Sequence, residues 1–219
     1  TVFNKARTNC SRNFTVFNII ISLTVAVLLG FTVIAAERNR ETGAMAVTSV
    51  NTEDYKVALT VNVYEYTDVE AYLELFKKAK ATFFISEEFQ ETCPEKVVKI
   101  FESGHSIGIL ENDVNISKNE LYDRLAIRIE RMARITGKNT DLIRVDEEDC
   151  DESVIKNIHS IGLLPVQWSE DDEDFSQGDV VLIKDIRTAE EAIKKSAADG
   201  LVAVNVDELI STLFNFLKI

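Results

Sequence analysis

The chain has 219 residues, 46% of them hydrophobic, with 24 lysines and arginines against 37 aspartates and glutamates, for a formal net charge of −13. That length accommodates one sizeable domain with a buried core plus an appendage. The acidity argues against a nucleic-acid partner, because neutralising phosphates needs clustered lysine and arginine.

The charge is unevenly spread. Residues 1–41 hold five bases and two acids, which leaves 19 bases and 35 acids for residues 42–219. After a short basic start, residues 1–13, the stretch Phe14 to Ala36 runs for 23 residues without a charge. As a helix rising 1.5 Å per residue it would extend about 34 Å, enough to cross a hydrocarbon core of about 30 Å. A cleaved export signal needs only about 7–15 apolar residues close to a small-x-small site. Ala44-Met45-Ala46 has that form but lies well past the run, so length favours an uncleaved transmembrane helix. Lys5, Arg7 and Arg12 precede the run and Arg38 and Arg40 follow it. Under the positive-inside rule this places the N-terminus in the cytoplasm. The expectation is a single-pass membrane protein with an extracytoplasmic domain. Residues 37–55 are polar and aperiodic and read as a linker, and residues 56–219 as the domain.

From there short apolar runs alternate with helical patterns. VALTVNV (Val57–Val63), TFFI (Thr82–Ile85), SIGIL (Ser106–Leu110), LIRV (Leu142–Val145), LLPVQW (Leu163–Trp168), VVLIK (Val180–Lys184) and LVAV (Leu201–Val204) are rich in β-branched and aromatic residues. Near-continuous apolar runs of this kind suit parallel strands covered on both faces. Between them, Asp68–Lys80 puts Val69, Tyr72, Leu73 and Phe76 on one helical face. Pro94 suits the first position of a helix that ends before Gly104. Ser117 to Glu120 forms a capping box for a long amphipathic helix that stops at Gly137, and Thr188 to Glu191 forms a second, whose helix closes at Gly200. A last helix is predicted over about 207–217. Seven strands, each followed by a helix or helix-like link, give an α/β fold with a parallel sheet. Periodicity does not distinguish an open sheet from a closed barrel.

Reactive residues are few. His105 and His159 are the only histidines; His159 reads as a partly exposed helix residue. A zinc site commonly takes two or three histidines with a carboxylate, or several cysteines. Cys93 and Cys150 would be either a pair in an exported domain or two buried thiols. There is no Gly-rich phosphate loop or Cys-x-x-Cys. Two acidic runs, Asp146 to Asp149 and Glu170 to Asp174, follow consecutive strands. They read as solvated loops, or as a surface for a cation or a basic protein partner.

The segments VALTVNVY, KATFFISEEF, PEKVVKIFESGHSIG, TGKNTDLIR, IGLLPVQWSEDDEDF and GDVVLIKD resemble, in order and spacing, the polysaccharide deacetylase (NodB-homology) family, carbohydrate esterase family 4, over about residues 56–210. The resemblance implies a distorted (β/α) barrel of about seven parallel strands. It also implies removal of acetyl groups from N-acetylglucosamine polymers by a divalent metal such as zinc, held by one Asp and two His, with an Asp base and a His acid. The family's Thr-Phe-Asp-Asp-Gly matches Thr60-Val61-Asn62-Val63-Tyr64. The base position is therefore Asn62, an amide that does not take a proton at neutral pH, and the metal-binding Asp position is Val63. The two metal-binding histidine positions fall on Leu110 and Val114. Of the Arg-Pro-Pro-Tyr-Gly loop only Arg144 is retained, and the acid histidine becomes Lys184, followed by Asp185.

His105 belongs to the turn before the third strand and is assigned to packing. The expectation is a catalytically degenerate, metal-free domain. It would bind cell-wall glycan in a groove with Tyr64, Trp168 and Asp185 as candidates, or dock a protein on its acidic loops. The alternative is a hydrolase with a rearranged acidic metal site drawn from Asp146, Glu147, Asp171 or Asp185.

Overall fold

A computed structural model describes residues 45–114, 116–146, 151–169 and 174–216; for 212–216 only the backbone is described. The chain divides between Gly43 and Ala44, and every described residue belongs to the second unit.

All seven expected strands are present and parallel: β1 (Lys56–Val63), β2 (Thr82–Ile85), β3 (Ser106–Glu111), β4 (Leu142–Val145), β5 (Leu164–Pro165), β6 (Val180–Ile183) and β7 (Val202–Val204). The helices are α1 (Val69–Leu75), α2 (Glu87–Thr92), α3 (Pro94–Glu102), α4 (Lys118–Thr136), α5 (Glu152–Ser160), α6 (Ile186–Ala198) and α7 (Val206–Phe216). The sheet order is β5-β4-β3-β2-β1-β6, with β7 paired to the start of β1.

It is a curled, open half-barrel, which corrects the expectation of a barrel. The edges are β5 and β6, and β5 is only two residues long and contains Pro165. A proline has no N–H to offer a further strand, so it suits an edge and blocks closure there.

β1 shows how the sheet sorts its side chains. Val57, Leu59, Val61 and Val63 enter the apolar layer shared with Val69, Tyr72, Val97, Ile100 and Ala189 of the helices, whereas Ala58 joins Phe84, Leu110, Leu142 and Val166 in a separate cluster. This is the period-two alternation of a strand with both faces covered. A third cluster lies under α4 and α5, built on Ile109, Leu121, Leu125, Ile143 and Ile158.

Helix ends follow their caps. Ser117 accepts the Glu120 N–H at 3.3 Å, and α4 stops at Gly137, whose φ of +75° favours a residue without a Cβ. The second capping box is corrected: α6 is capped by Asp185, which accepts the Thr188 N–H at 2.7 Å while the Asp185 N–H donates to the Thr188 hydroxyl at 2.9 Å. A carboxylate three residues earlier outcompetes Thr188 as the cap. Unexpected α2 starts at Ser86, whose hydroxyl accepts the Phe89 N–H, with Glu87 and Glu88 in the favourable first turn.

Two readings of the N-terminal part are corrected. The described part of the 37–55 linker is docked on the domain. Val47 donates to the Pro165 carbonyl at 2.8 Å, its own carbonyl accepts from Gln167 at 2.9 Å, Val180 donates to the Thr48 carbonyl at 3.0 Å, and Val50 donates to the Gly178 carbonyl at 2.7 Å. Residues 47–50 thus touch the end of β5 and the beginning of β6, the two edges that do not pair with each other. Gly178 permits this: its φ is +87° and a Cβ there would lie 2.0 Å from the Val50 carbonyl oxygen. The second correction concerns the single-pass membrane location. Among the described residues no helix is long and apolar enough to cross a membrane. The longest, α4, has 19 residues but alternates its apolar face with charges such as Asp123, Arg124, Glu130 and Arg131. The 14–36 run lies outside the described residues.

Candidate functional site

β1, β4 and β6 deliver their last residues to one end of the half-barrel, the carboxyl end, where parallel α/β folds place their sites. Asn62 comes from β1, with Tyr64 just beyond it. Arg144 lies on β4 and Asp146 just past its end, and Lys184 and Asp185 follow β6.

Asn62, Tyr64, Arg144 and Asp146 form a hydrogen-bonded network. The Tyr64 hydroxyl donates to both carboxylate oxygens of Asp146, at 2.7 and 2.8 Å. The Asn62 amide nitrogen makes longer approaches of 3.4 Å to the Tyr64 hydroxyl and 3.5 Å to Asp146. Its carbonyl oxygen accepts from Arg144 at 3.0 Å, which fixes the orientation of the amide. Arg144 is fully buried, donates to the Val166 carbonyl at 3.2 Å, and lays its guanidinium 4.2 Å from the Phe84 ring centre and 5.3 Å from that of Trp168. Burial, and then the Asp146 carboxylate it donates to, push the Tyr64 phenol up to about 12. Tyr64 therefore donates hydrogen bonds at neutral pH and cannot act as a base.

Beside the network lies a cleft of about 360 Å³, lined among others by Asn62, Tyr64, Tyr66, Tyr72, Lys184 and Asp185. Its outermost wall is Tyr66, 84% exposed and stacked on Tyr64 with ring centres 5.4 Å apart and planes 8° from parallel. A short turn creates the stack. Thr67 donates its N–H to the Tyr64 carbonyl at 3.0 Å and accepts the Tyr64 N–H on its hydroxyl at 2.9 Å, and Asp68 then caps α1 through the Ala71 N–H. Sequence reasoning missed Tyr66; the Tyr-x-Tyr spacing directly after a strand was the available signal.

Of the three groove candidates, Tyr64 and Asp185 line the cleft, whereas Trp168 packs on Arg144 and does not.

The family's metal positions do not converge. Val63 (0% exposed), Leu110 (1%) and Val114 (5%) are sealed in three different apolar clusters. Val63 points to the helix side of the sheet, opposite to the network. None offers a donor atom, and among the described residues no group of three or more His, Cys, Asp or Glu could hold a metal. The residues present do not fit a divalent ion. The rearranged acidic site also lacks support where it is described: Asp146 is engaged by Tyr64, and Asp185 caps α6. Glu147, Cys150 and Asp171 lie outside the described residues, and with them most of both acidic runs and one half of the Cys93–Cys150 pair.

Both histidines are accounted for by structure. His105 is buried, accepts the Ala81 N–H on Nδ1 at 3.3 Å and packs edge-on against Phe76 and Phe83. Burial, helped by the charge of Lys80, lowers its pKa to about 4. His159 is exposed at the end of α5.

A second polar group was not foreseen. Arg128 of α4 (0% exposed) meets Glu111 (2%) at 3.2 Å and donates to the Leu110 and Ile85 carbonyls at 2.9 and 2.7 Å, and Arg124 reaches the other oxygen of Glu111 at 3.2 Å. The clamp ties the carboxyl ends of β2 and β3 to α4. Its signal was Arg128 sitting in helical register with apolar Leu121, Leu125 and Met132.

Comparisons with known proteins agree with this architecture. The family model described as polysaccharide deacetylase matches residues 49–166. No curated protein matches the sequence significantly. Among solved structures, a family 4 carbohydrate esterase from Bacillus anthracis is similar at 20% identity and a TM-score of 0.67, over 82% of this chain and 92% of that one. A peptidoglycan N-acetylglucosamine deacetylase is similar at 21% identity and a TM-score of 0.69, over 77% and 94%. A carbohydrate esterase family 4 pseudoenzyme, also from Bacillus anthracis, is similar at 18% identity and a TM-score of 0.67, over 78% and 70%. At such identities the likeness is one of fold.

Proposed function

The chain belongs to the polysaccharide deacetylase family, and from that premise we propose that it is a catalytically compromised member which binds glycan without hydrolysing it. One observation carries the reading. The positions that would hold the metal are occupied by Val63, Leu110 and Val114, each closed into a separate apolar cluster, while the adjacent tyrosine-lined cleft stays open.

Metal-assisted amide hydrolysis needs a donor set for the ion and a base for water. Asn62 stands at the base position, and the nearest carboxylate, Asp146, has both oxygens engaged by Tyr64. Glycan binding needs less. A flat aromatic face stacks on a pyranose ring and polar side chains meet its hydroxyls. Tyr66 supplies the face, with Asn62, Thr67 and Asp185 around it.

The test is to prepare the full chain, measure bound zinc, cobalt and manganese, assay acetate release from N-acetylglucosamine oligomers, and titrate the same oligomers for binding. The expected result is no stoichiometric metal, no acetate, and saturable binding that Tyr66→Ala weakens. Stoichiometric metal together with turnover would overturn the reading.

A further inference from the structure

The cleft carries a charge preference as well as a shape. Resting on the glycan-binding reading, we propose that its ligand is a positively charged amino sugar, a glucosamine-type pyranose with a free ammonium. The ring lies on Tyr66 and the ammonium meets Asp185.

Three independent features converge on a cation. The first is Asp185, an exposed residue that lines the cleft and spends one carboxylate oxygen, Oδ1, on the Thr188 N–H at 2.7 Å. That bond, which is its largest influence, holds the Asp185 carboxyl below the usual carboxylate range, so at neutral and mildly acidic pH it is anionic while an amine is protonated. Its charge also reaches into the cleft, where burial and then Asp185 raise the Tyr72 phenol.

The second feature is the aromatic pair. Tyr64 donates to the carboxylate of Asp146, which shifts electron density onto its ring, and Tyr66 stacks on that ring at 5.4 Å. An electron-rich aromatic face attracts an ammonium as well as the apolar face of a sugar. The third is the wider field. Residues 42–219 carry 35 acids against 19 bases, which draws in cationic ligands and repels anionic ones. Lys184, the cation on the cleft wall, already has a partner.

A neutral N-acetylated sugar would use the stacking face and hydroxyl contacts, with no charge to pair with the carboxylate. A free amino sugar would use the face and the carboxylate together.

The full chain is titrated at mildly acidic pH with a glucosamine hexamer, an N-acetylglucosamine hexamer and a lysine hexapeptide. The glucosamine hexamer is expected to bind about tenfold more tightly than its N-acetylated counterpart, an advantage that salt erodes. Asp185→Asn should erase the advantage without unfolding the chain, because asparagine caps a helix as well as aspartate does. Tyr66→Ala should weaken both sugars. Equal affinities, or a preference for the N-acetylated hexamer, overturn the charge inference and leave the glycan reading standing. Lysine hexapeptide binding as tightly as the amino sugar, or full-strength binding by Tyr66→Ala, assigns the attraction to the general acidic surface and also overturns it. No binding of either sugar overturns the glycan reading itself.

Discussion

Glu111 and Asp146 stand side by side at the ends of neighbouring strands, joined by a hydrogen bond from the Asp146 N–H to the Glu111 carbonyl at 2.8 Å. Their side chains have opposite fates. Glu111 turns under α4, is 2% exposed and sits between the guanidinium groups of Arg124 and Arg128. Asp146 is half-buried and is held by a phenol and, at longer range, an amide. The first carboxylate is committed to the fold, since its charge is neutralised where it lies. The second accepts from neutral donors and lies beside the cleft. Two acids one strand apart thus divide the carboxyl end of the sheet into a clamp and a binding face.

The largest expected effect breaks the clamp. Glu111→Gln strands the buried Arg128 charge, and losing one partner of a buried ion pair costs about 3–5 kcal/mol. Denaturant unfolding measures it, and a loss below about 1 kcal/mol would mean that Glu111 is no more committed than Asp146.

His105 sharpens the contrast, because it is a buried basic group without a carboxylate at its side. With a folded pKa of about 4 against about 6.5 unfolded, the unfolded chain binds more protons between those values. Stability from His105 is therefore complete above pH ~6.5 and falls by up to about 3 kcal/mol as pH drops toward ~4. His105→Gln should flatten that part of a stability–pH profile.

A smaller loss is expected on the cleft side. Tyr64→Phe removes one donor from Asp146, worth about 1–2 kcal/mol, and frees the ring on which Tyr66 rests. Smallest of the four is Asp146→Asn, which still accepts from Tyr64 and should change stability by less than about 1 kcal/mol. A loss as large as that of Glu111→Gln would erase the distinction between the two regions.

The strands were legible because each is a short apolar run, most of them buried on both faces, and all seven occur where the runs do. Direction was harder to read than position. Order places Val63 at a ligand position but does not say which way it faces; one step along a strand turns a side chain to the other face, and it lies with Val61 on the helix side. Tyr66 gave no periodic signal because a turn, not a strand, folds it back on Tyr64. The Glu111–Arg128 pair was hidden for the opposite reason, since charges on an amphipathic helix are ordinarily read as its wet face. Closure was illegible too: it depends on whether two edges far apart in sequence meet, and local periodicity carries nothing about that.

The docked stretch 47–50 changes where this domain begins. Composition would have it start at residue 56, with the first strand. Trimming the chain there would remove the hydrogen-bonding partners of Pro165, Gln167, Gly178 and Val180 and lay bare both margins of the half-barrel. Unpaired margins of a sheet invite pairing with other molecules. A version beginning at residue 56 should therefore self-associate, where one that keeps residues 45–55 stays dispersed. On that expectation the backbone of Val47 to Val50 is a guard against aggregation.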